Sequence, residues 1–455
     1  MIVWGGLVED ATSLANGGRY DPAADRWSGT SEGAGCPSAR DHHTAVWNGR
    51  RIIVWGGSQS IESDLMGDGG EYDPTTDSWD PIPWTPDGPS SRDSHGAVWT
   101  GRLMLIWAGS PGPTSSGAAY GVPGPRRDIA AGRGAGYPNA SEVSVHDVDG
   151  TLLGEPFFPY ASGHWGANVS SCDLDAAVSP ELVTGPGPGM VHGPHVRAWS
   201  ASGAPIARVS FYAYATLRYG VNVRGAGVES DAGSELLTGA GPGSVFGPHV
   251  RGFDAEAAVR ALPGLSLFAY STLKFGVNVS SGDLDADGAE EILTGPGPGP
   301  TFAPQIRGFD YDAGSVLAMP GVSFVAFADT AYGAQLAAGN ISEPALAYQE
   351  IVVTPGAGPS EEARVLGFRY DGSLVQALPG FDRTPYTTAY GGRVAAGDVN
   401  EDGRDDLVAS PGPDPAAAPS VGSWSYGGAM LVPLGPTFIP FPGSYGNNVA
   451  VTTGS

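Results

Sequence analysis

Lysine is almost missing from this chain. Lys274 is the only one, and every other basic residue apart from histidine is arginine. With 23 Lys and Arg against 48 Asp and Glu, the formal charge is −25. Such an acidic chain is a poor partner for nucleic acid, whose phosphates demand clustered cations. The same charge suits cation binding and solubility in a salty exterior. Cysteine is scarce as well. Cys36 and Cys172 stand in different repeat systems, so no disulfide framework is expected and both read as small buried residues. No run of 18 apolar residues occurs, so no membrane span is expected. No signal peptide is evident. The GPGPG tracts at 185–189 and 295–299 lack the Lys-Ser/Thr of a phosphate loop and read as turns.

Glycine and proline are abundant, with 71 and 40 copies. They recur at fixed offsets between apolar, β-branched runs, which marks turns between short strands and an all-β chain. Two systems of repeats follow one another. Residues 1–107 repeat with a period of 51 to 52. Met1-Ile2-Val3-Trp4-Gly5-Gly6 returns as Ile52-Ile53-Val54-Trp55-Gly56-Gly57. Tyr20 and Trp27 return as Tyr72 and Trp79, and Arg40-Asp41 with His43 as Arg92-Asp93 with His95. A third pass starts at Leu105-Ile106-Trp107 and is expected to fade near Tyr120. Residues 108–125 read as the boundary. Units then begin at Trp165, Tyr219, Phe275, Tyr332 and Tyr390, each followed by glycine, at spacings of 54, 56, 57 and 58. Each unit holds an alternating strand, an acidic loop, an apolar strand ending near Gly-Pro, and a hairpin.

The acidic loop carries the chemistry. In GDLDADGAEEILT, Asp283, Asp285 and Asp287 occupy positions 1, 3 and 5, Gly288 position 6, and Glu291 position 9. In GDVNEDGRDDLVAS the same positions hold Asp398, Asn400, Asp402, Gly403 and Asp406. Alternate oxygen-bearing side chains on a tightly turned loop converge on one point, and Ala289 and Arg404 add a main-chain carbonyl each. Hard oxygen donors in that number suit Ca²⁺. Neither loop offers the Cys or His that zinc prefers. An EF-hand would need Glu at position 12, where Thr294 and Ala409 stand. The other three loops are worn. Residues 173–181 keep Asp173 and Asp175 but have Ala177 and Val178 in place of Asp-Gly. Residues 227–235 keep Glu229 and Asp231, and residues 340–350 have Asn340-Ile341-Ser342 ahead of an insertion with Pro344. At most weak binding is expected there.

Phe275-Gly276, the GDLDADG loop and Thr294-Gly295-Pro296 resemble the FG-GAP repeat, related to VCBS-type repeats, of integrin α-subunit propellers; Tyr390-Gly391 and its loop match the same pattern. The resemblance covers about residues 123–455 and implies one four-stranded blade per unit, with Ca²⁺ held between its first two strands. The glycine doublet with Tyr and Trp seven apart is similar to the kelch repeat, also a propeller blade. The expected architecture is therefore all-β: kelch blades over residues 1–122 as a partial propeller, then an FG-GAP-type calcium-binding propeller over residues 123–455. Residues 126–163 carry the later part of a unit and 445–455 only a first strand. Joined, they complete six blades, with seven left open. Met1 lies inside a strand motif, so the chain is expected to be a fragment with upstream blades and any export signal missing.

His43 and His95, like His195 and His249, share repeat positions and read as packing parts, since no nucleophile–base pair accompanies them. Asp147, Asp149, Asp310 and Asp312 read as solvated turn residues. Asn-x-Ser triplets at Asn139, Asn168, Asn278 and Asn340 recur with the repeat and receive no role. The functional expectation is a secreted or cell-surface, non-catalytic binding or adhesion module, meeting a protein or glycan on a propeller loop face. The alternatives are the propeller part of a larger secreted enzyme, polysaccharide-active or copper-oxidase-like, or a structural spacer.

Overall fold

Why the chain breaks into many small sheets is clear from its turn residues. Apolar runs of four to six residues end at glycine, proline or Asp-rich turns, so each run folds back on its predecessor. The computed structural model describes all residues except 9–11, 23, 48–50, 60–63, 75, 83–88, 100–103, 112–115, 121–127, 161–163, 175–179, 191, 201, 216–217, 230–232, 272–273, 313, 343–347, 401, 444–445 and 453–455. No helix occurs among the described residues, and hence none long and apolar enough to cross a membrane. The chain divides into two compact units, Met1–Pro123 and Gly124–Ser455.

The first unit contains three blade-like antiparallel sheets. The first joins Ile2–Trp4, Gly17–Asp21 and Arg26–Gly29. The second joins Thr44–Trp47, Ile52–Trp55, Gly69–Asp73 and Ser78–Ile82. The third, from the pass expected to fade, joins Gly96–Trp99, Met104–Trp107 and Gly117–Tyr120. The middle sheet uses both faces. Ile52, Val54, Tyr72 and Trp79 pack on Trp4 of the first sheet. Ile53, Trp55 and Ile82 pack on Met104 and Ile106 of the third. The period-2 alternation of a strand sends neighbouring residues to opposite faces, which explains why all four residues of Ile52–Trp55 are buried. Arg40, fully buried, threads between these strands and donates to the carbonyls of Gly56 and Asp68 at 3.1 and 3.0 Å. Arg92 repeats this with Ala108 and Ser116. Cys172 is buried, whereas Cys36 is only partly covered, which corrects the expectation for the latter.

In the second unit, five four-stranded sheets follow one another in chain order, each with its strands in sequence order. Their first strands are Ala167–Cys172, Val221–Ala226, Val277–Gly282, Ala334–Gly339 and Gly392–Gly397. A further sheet is built from distant parts of the chain: Asn447–Val451 pairs with Ile129–Arg133, which pairs with Val143–His146. Each first strand packs against the next, and Asn447–Val451 packs on both Gly392–Gly397 and Ala167–Cys172, closing the circuit. The first strand of each four-stranded sheet is an edge strand that lies on this inner path, packed against its neighbours.

The aromatic-glycine pair that opens each unit has a backbone reason. Phe275 and Gly276 both adopt positive φ, 66° and 68°, a region costly for the aromatic and free for glycine. A Cβ on Gly276 would also lie 2.0 Å from the Ala240 carbonyl oxygen of the preceding sheet. The turn therefore fixes how closely successive sheets approach. Small four-stranded antiparallel sheets in such a series are consistent with β-propeller blades.

Candidate metal centre

Each acidic loop of the second unit joins the first and second strands of its sheet. The last residue of the first strand pairs with the acid that opens the second, as in Gly282 with Glu291 and Gly397 with Asp406. This register places loop positions 1 and 9 side by side.

At residues 283–291 the carboxylates of Asp283, Asp285 and Asp287 approach one another within 4.8 Å. The loop backbone holds them there. Asp283 accepts the amide N–H of Ala286 at 2.7 Å and of Gly288 at 3.1 Å, and Asp287 accepts that of Ala289 at 2.9 Å. Gly288 takes φ of 92°, the left-handed conformation that glycine adopts without strain. Glu291 is buried and accepts the Leu284 N–H at 2.6 Å. Burial, followed by repulsion from the three aspartates, pushes its carboxyl up to about 8. Asp285 is also shifted up, by burial and then by Asp287.

At residues 398–406 the pattern recurs in a more enclosed setting. Asp398 accepts from Asp402 N–H and Gly403 N–H at 3.0 and 2.9 Å. Asn400 Oδ1 also accepts from Asp402 N–H, and Asp402 accepts from Arg404 N–H, both at 2.9 Å. Asp406 is fully buried. Its Oδ2 accepts the Val399 N–H at 3.1 Å, while its Oδ1 has no hydrogen-bond partner. Burial and the nearby Asp402 and Asp398 raise its carboxyl to about 8. A buried carboxylate oxygen without a donor is costly. A hard cation at this oxygen would offset that cost.

Sequence reasoning treated position 9 only as a metal ligand. The five loops give it a second task. Glu181, Glu235, Glu291, Glu350 and Asp406 each accept the N–H of loop position 2, at 2.8, 3.0, 2.6, 2.9 and 3.1 Å. The position-2 residues, Leu174, Val228, Leu284, Ile341 and Val399, are all buried. The acid therefore persists in loops that have lost their aspartates because it anchors the loop backbone. The recurrence of an acid after a buried aliphatic, seven residues on in four loops and nine in residues 340–350, was the signal available in the sequence.

The worn loops differ in how they meet that acid. Of their expected residues, Asp175, Ala177, Val178, Asp231 and Pro344 lie outside the described residues. In residues 340–350, Glu350 is held by Arg369, whose Nη2 lies 2.9 Å and Nε 3.2 Å from Glu350 Oε1, and by the Ser342 hydroxyl. Arg369 follows Phe368, which pairs with Ile351; Asp310 follows Phe309, which pairs with Ile292. One repeat position thus holds a cation beside residues 340–350 and an acid beside residues 283–291. Asp310 was expected to be solvated. It is half-buried and shifted up by burial and then by Asp287. With Glu229, Asp287 and Asp312 it lines an acidic cleft of about 410 Å³.

Four histidines lie against aromatic rings. His43 and His95 stand edge-on to Trp4 and Trp55 at 5.5 and 5.2 Å, and His195 and His249 stack on Tyr212 and Phe268.

Residues 1–119 match the family model described as the KLHDC2/KLHL20/DRC7 Kelch-repeats domain. That stretch contains the glycine doublets, the Tyr–Trp pairs and, up to the last residue of the third, the three blade-like sheets of the first unit. A search of curated proteins finds no match to the chain.

Proposed function

We propose that residues 124–455 form a six-bladed FG-GAP-type propeller with two structural Ca²⁺ sites, and that the chain is a secreted or cell-surface, non-catalytic binding or adhesion module. The convergence of Asp283, Asp285 and Asp287 within 4.8 Å carries this reading. Asp406, buried with one carboxylate oxygen unsatisfied, supports the second site. Asp283, Asp285, Asp287 and Glu291 would hold one ion, with the Ala289 carbonyl. Asp398, Asn400, Asp402 and Asp406 would hold the other, with the Arg404 carbonyl. The bound ion supplies positive charge that offsets the clustered carboxylates and fixes the loop between strands. The closed circuit of first strands supports the six blades, and the kelch match supports a second set of blades in the same chain. Ca²⁺ modules that work outside cells bind at about 10⁻⁴–10⁻³ M, so such sites fill there.

The partner is a protein or glycan on a loop face of the blades. The experiment is a glycan and matrix-protein array probed with the full chain in Ca²⁺ and in EGTA, alongside Asp283→Ala/Asp398→Ala. A ligand retained only in Ca²⁺, and lost by the double variant, supports a calcium-shaped binding face. Absence of any ligand in both conditions favours a spacer. Turnover of an arrayed glycan contradicts the non-catalytic reading.

A further inference from the structure

The first strands of the second unit surround a narrow channel, and its lining is unlike the rest of this acidic chain. One residue from each strand faces in at the same level: Asn168, Asn222, Asn278, Gln335, Arg393 and Asn448. Four of the asparagines join neighbouring strands. Asn168, Asn222, Asn278 and Asn448 donate to the carbonyls of Val221, Val277, Ala334 and Ala167 at 2.7, 2.7, 2.6 and 2.8 Å. Arg393 occupies one place in this belt. Its Nε donates to Asn448 Oδ1 at 2.9 Å and its Nη1 to the Gly392 carbonyl at 3.2 Å. Arg224 and Ser280 line the channel two residues further along their strands. The lining contains two guanidinium groups and no carboxylate, in a protein of formal charge −25. Ser280 is 1 % exposed, and its hydroxyl has no hydrogen-bond partner. The cavity is about 80 Å³, ample for a small ion, since one water needs about 10–15 Å³ on the same measure.

We infer that this channel is a binding site for one small oxyanion of the sulfate, phosphate or formate class, held by the Arg393 guanidinium and the Ser280 hydroxyl with Arg224 adding positive potential. A planar guanidinium matches oxyanions in geometry as well as charge. Removal from water lowers the Arg393 pKa to about 10; an anion beside it opposes that shift. The belt asparagines leave the anion to Arg393 and Ser280, because their own amide N–H groups serve the neighbouring strands. The site is independent of the acidic loops.

The test is calorimetric titration of the full chain with sodium sulfate in a sodium gluconate background, at constant ionic strength, with Arg393→Gln and Ser280→Ala as variants. One saturable sulfate per chain is expected. Loss of one charge-assisted hydrogen bond weakens it by about tenfold or more in Arg393→Gln, with a smaller loss in Ser280→Ala. Ser280→Ala keeps the whole amide belt, so it remains informative if Arg393→Gln fails to fold. Absence of saturable sulfate binding to the wild-type chain overturns the proposal. So does binding that neither variant weakens, which would place the ion elsewhere.

Discussion

Arg369→Met is the substitution that most sharply separates an anchored loop from a metal loop. In residues 340–350 the buried Glu350 pairs with Arg369, and the two are 2.9 Å apart with side chains 0 % and 31 % exposed. Removing the cation leaves the carboxylate with the Ile341 and Ser342 N–H groups, at 2.9 and 3.2 Å, and the Ser342 hydroxyl. Cutting one partner from a buried pair costs about 3–5 kcal/mol. Arg369 is partly exposed, so water reaches part of the gap and the expected loss is about 2–4 kcal/mol. The assay is urea unfolding of the full chain followed by far-UV circular dichroism. Adding Ca²⁺ does not restore the loss, because the loop has no aspartates at positions 1, 3 and 5. Arg369→Met/Glu350→Gln recovers most of it, since the uncompensated charge is gone. A loss below about 0.5 kcal/mol in the single variant, the range of ordinary surface changes, would show that Arg369 does not anchor Glu350. So would a double variant as unstable as the single one.

Asn278→Ala removes bonds of 2.6 Å to the Ala334 carbonyl and 3.3 Å to the Pro296 carbonyl. The expected cost is about 1–3 kcal/mol, read as a lower unfolding midpoint in a thermal melt. His95 sits beside Trp55, and burial, followed by the charge of Arg92, lowers its pKa to about 4. Its folded pKa therefore lies below the unfolded value of about 6.5. The unfolded state takes up the proton first, and stability is lost as pH falls from about 6.5 to 4. The loss approaches about 3 kcal/mol. Urea titrations followed by tryptophan fluorescence at several pH values should show a shallower acid slope for His95→Gln than for wild type.

Much of the architecture was readable because turn chemistry is local. The aromatic-glycine starts, the Gly-Pro strand ends and the Asp-rich loops mark positions where the backbone permits few conformations. They fixed the five four-stranded repeats, and the half-units at 126–163 and 445–455 announced a sheet made from both ends. The third sheet of the first unit was harder. Its hydrophobic strand Met104–Trp107 repeats well, but its last strand, Gly117–Tyr120, carries small residues that give little pattern. The belt of Asn168, Asn222, Asn278 and Asn448 was in plain view as a recurring amide. Its role depends on the neighbouring strand, which lies more than fifty residues away in all four cases, so spacing along the chain could not reveal it. The same holds for Arg369 and Asp310. They are ordinary strand residues in sequence, and only the third strand's register brings them to the loops. The bulge that shifts register between Arg307 and Gly308 left no clear sequence mark.

The proposed Ca²⁺ sites are the loops at residues 283–291 and 398–406, one ion in each. Equilibrium dialysis of the full chain with radioactive calcium tests them most directly. Two saturable ions per chain are predicted, falling to one in Asp283→Ala and one in Asp398→Ala, and to none in the double variant. Absence of saturable binding at millimolar Ca²⁺, or a stoichiometry that neither substitution lowers, would rule out these two loops as Ca²⁺ sites.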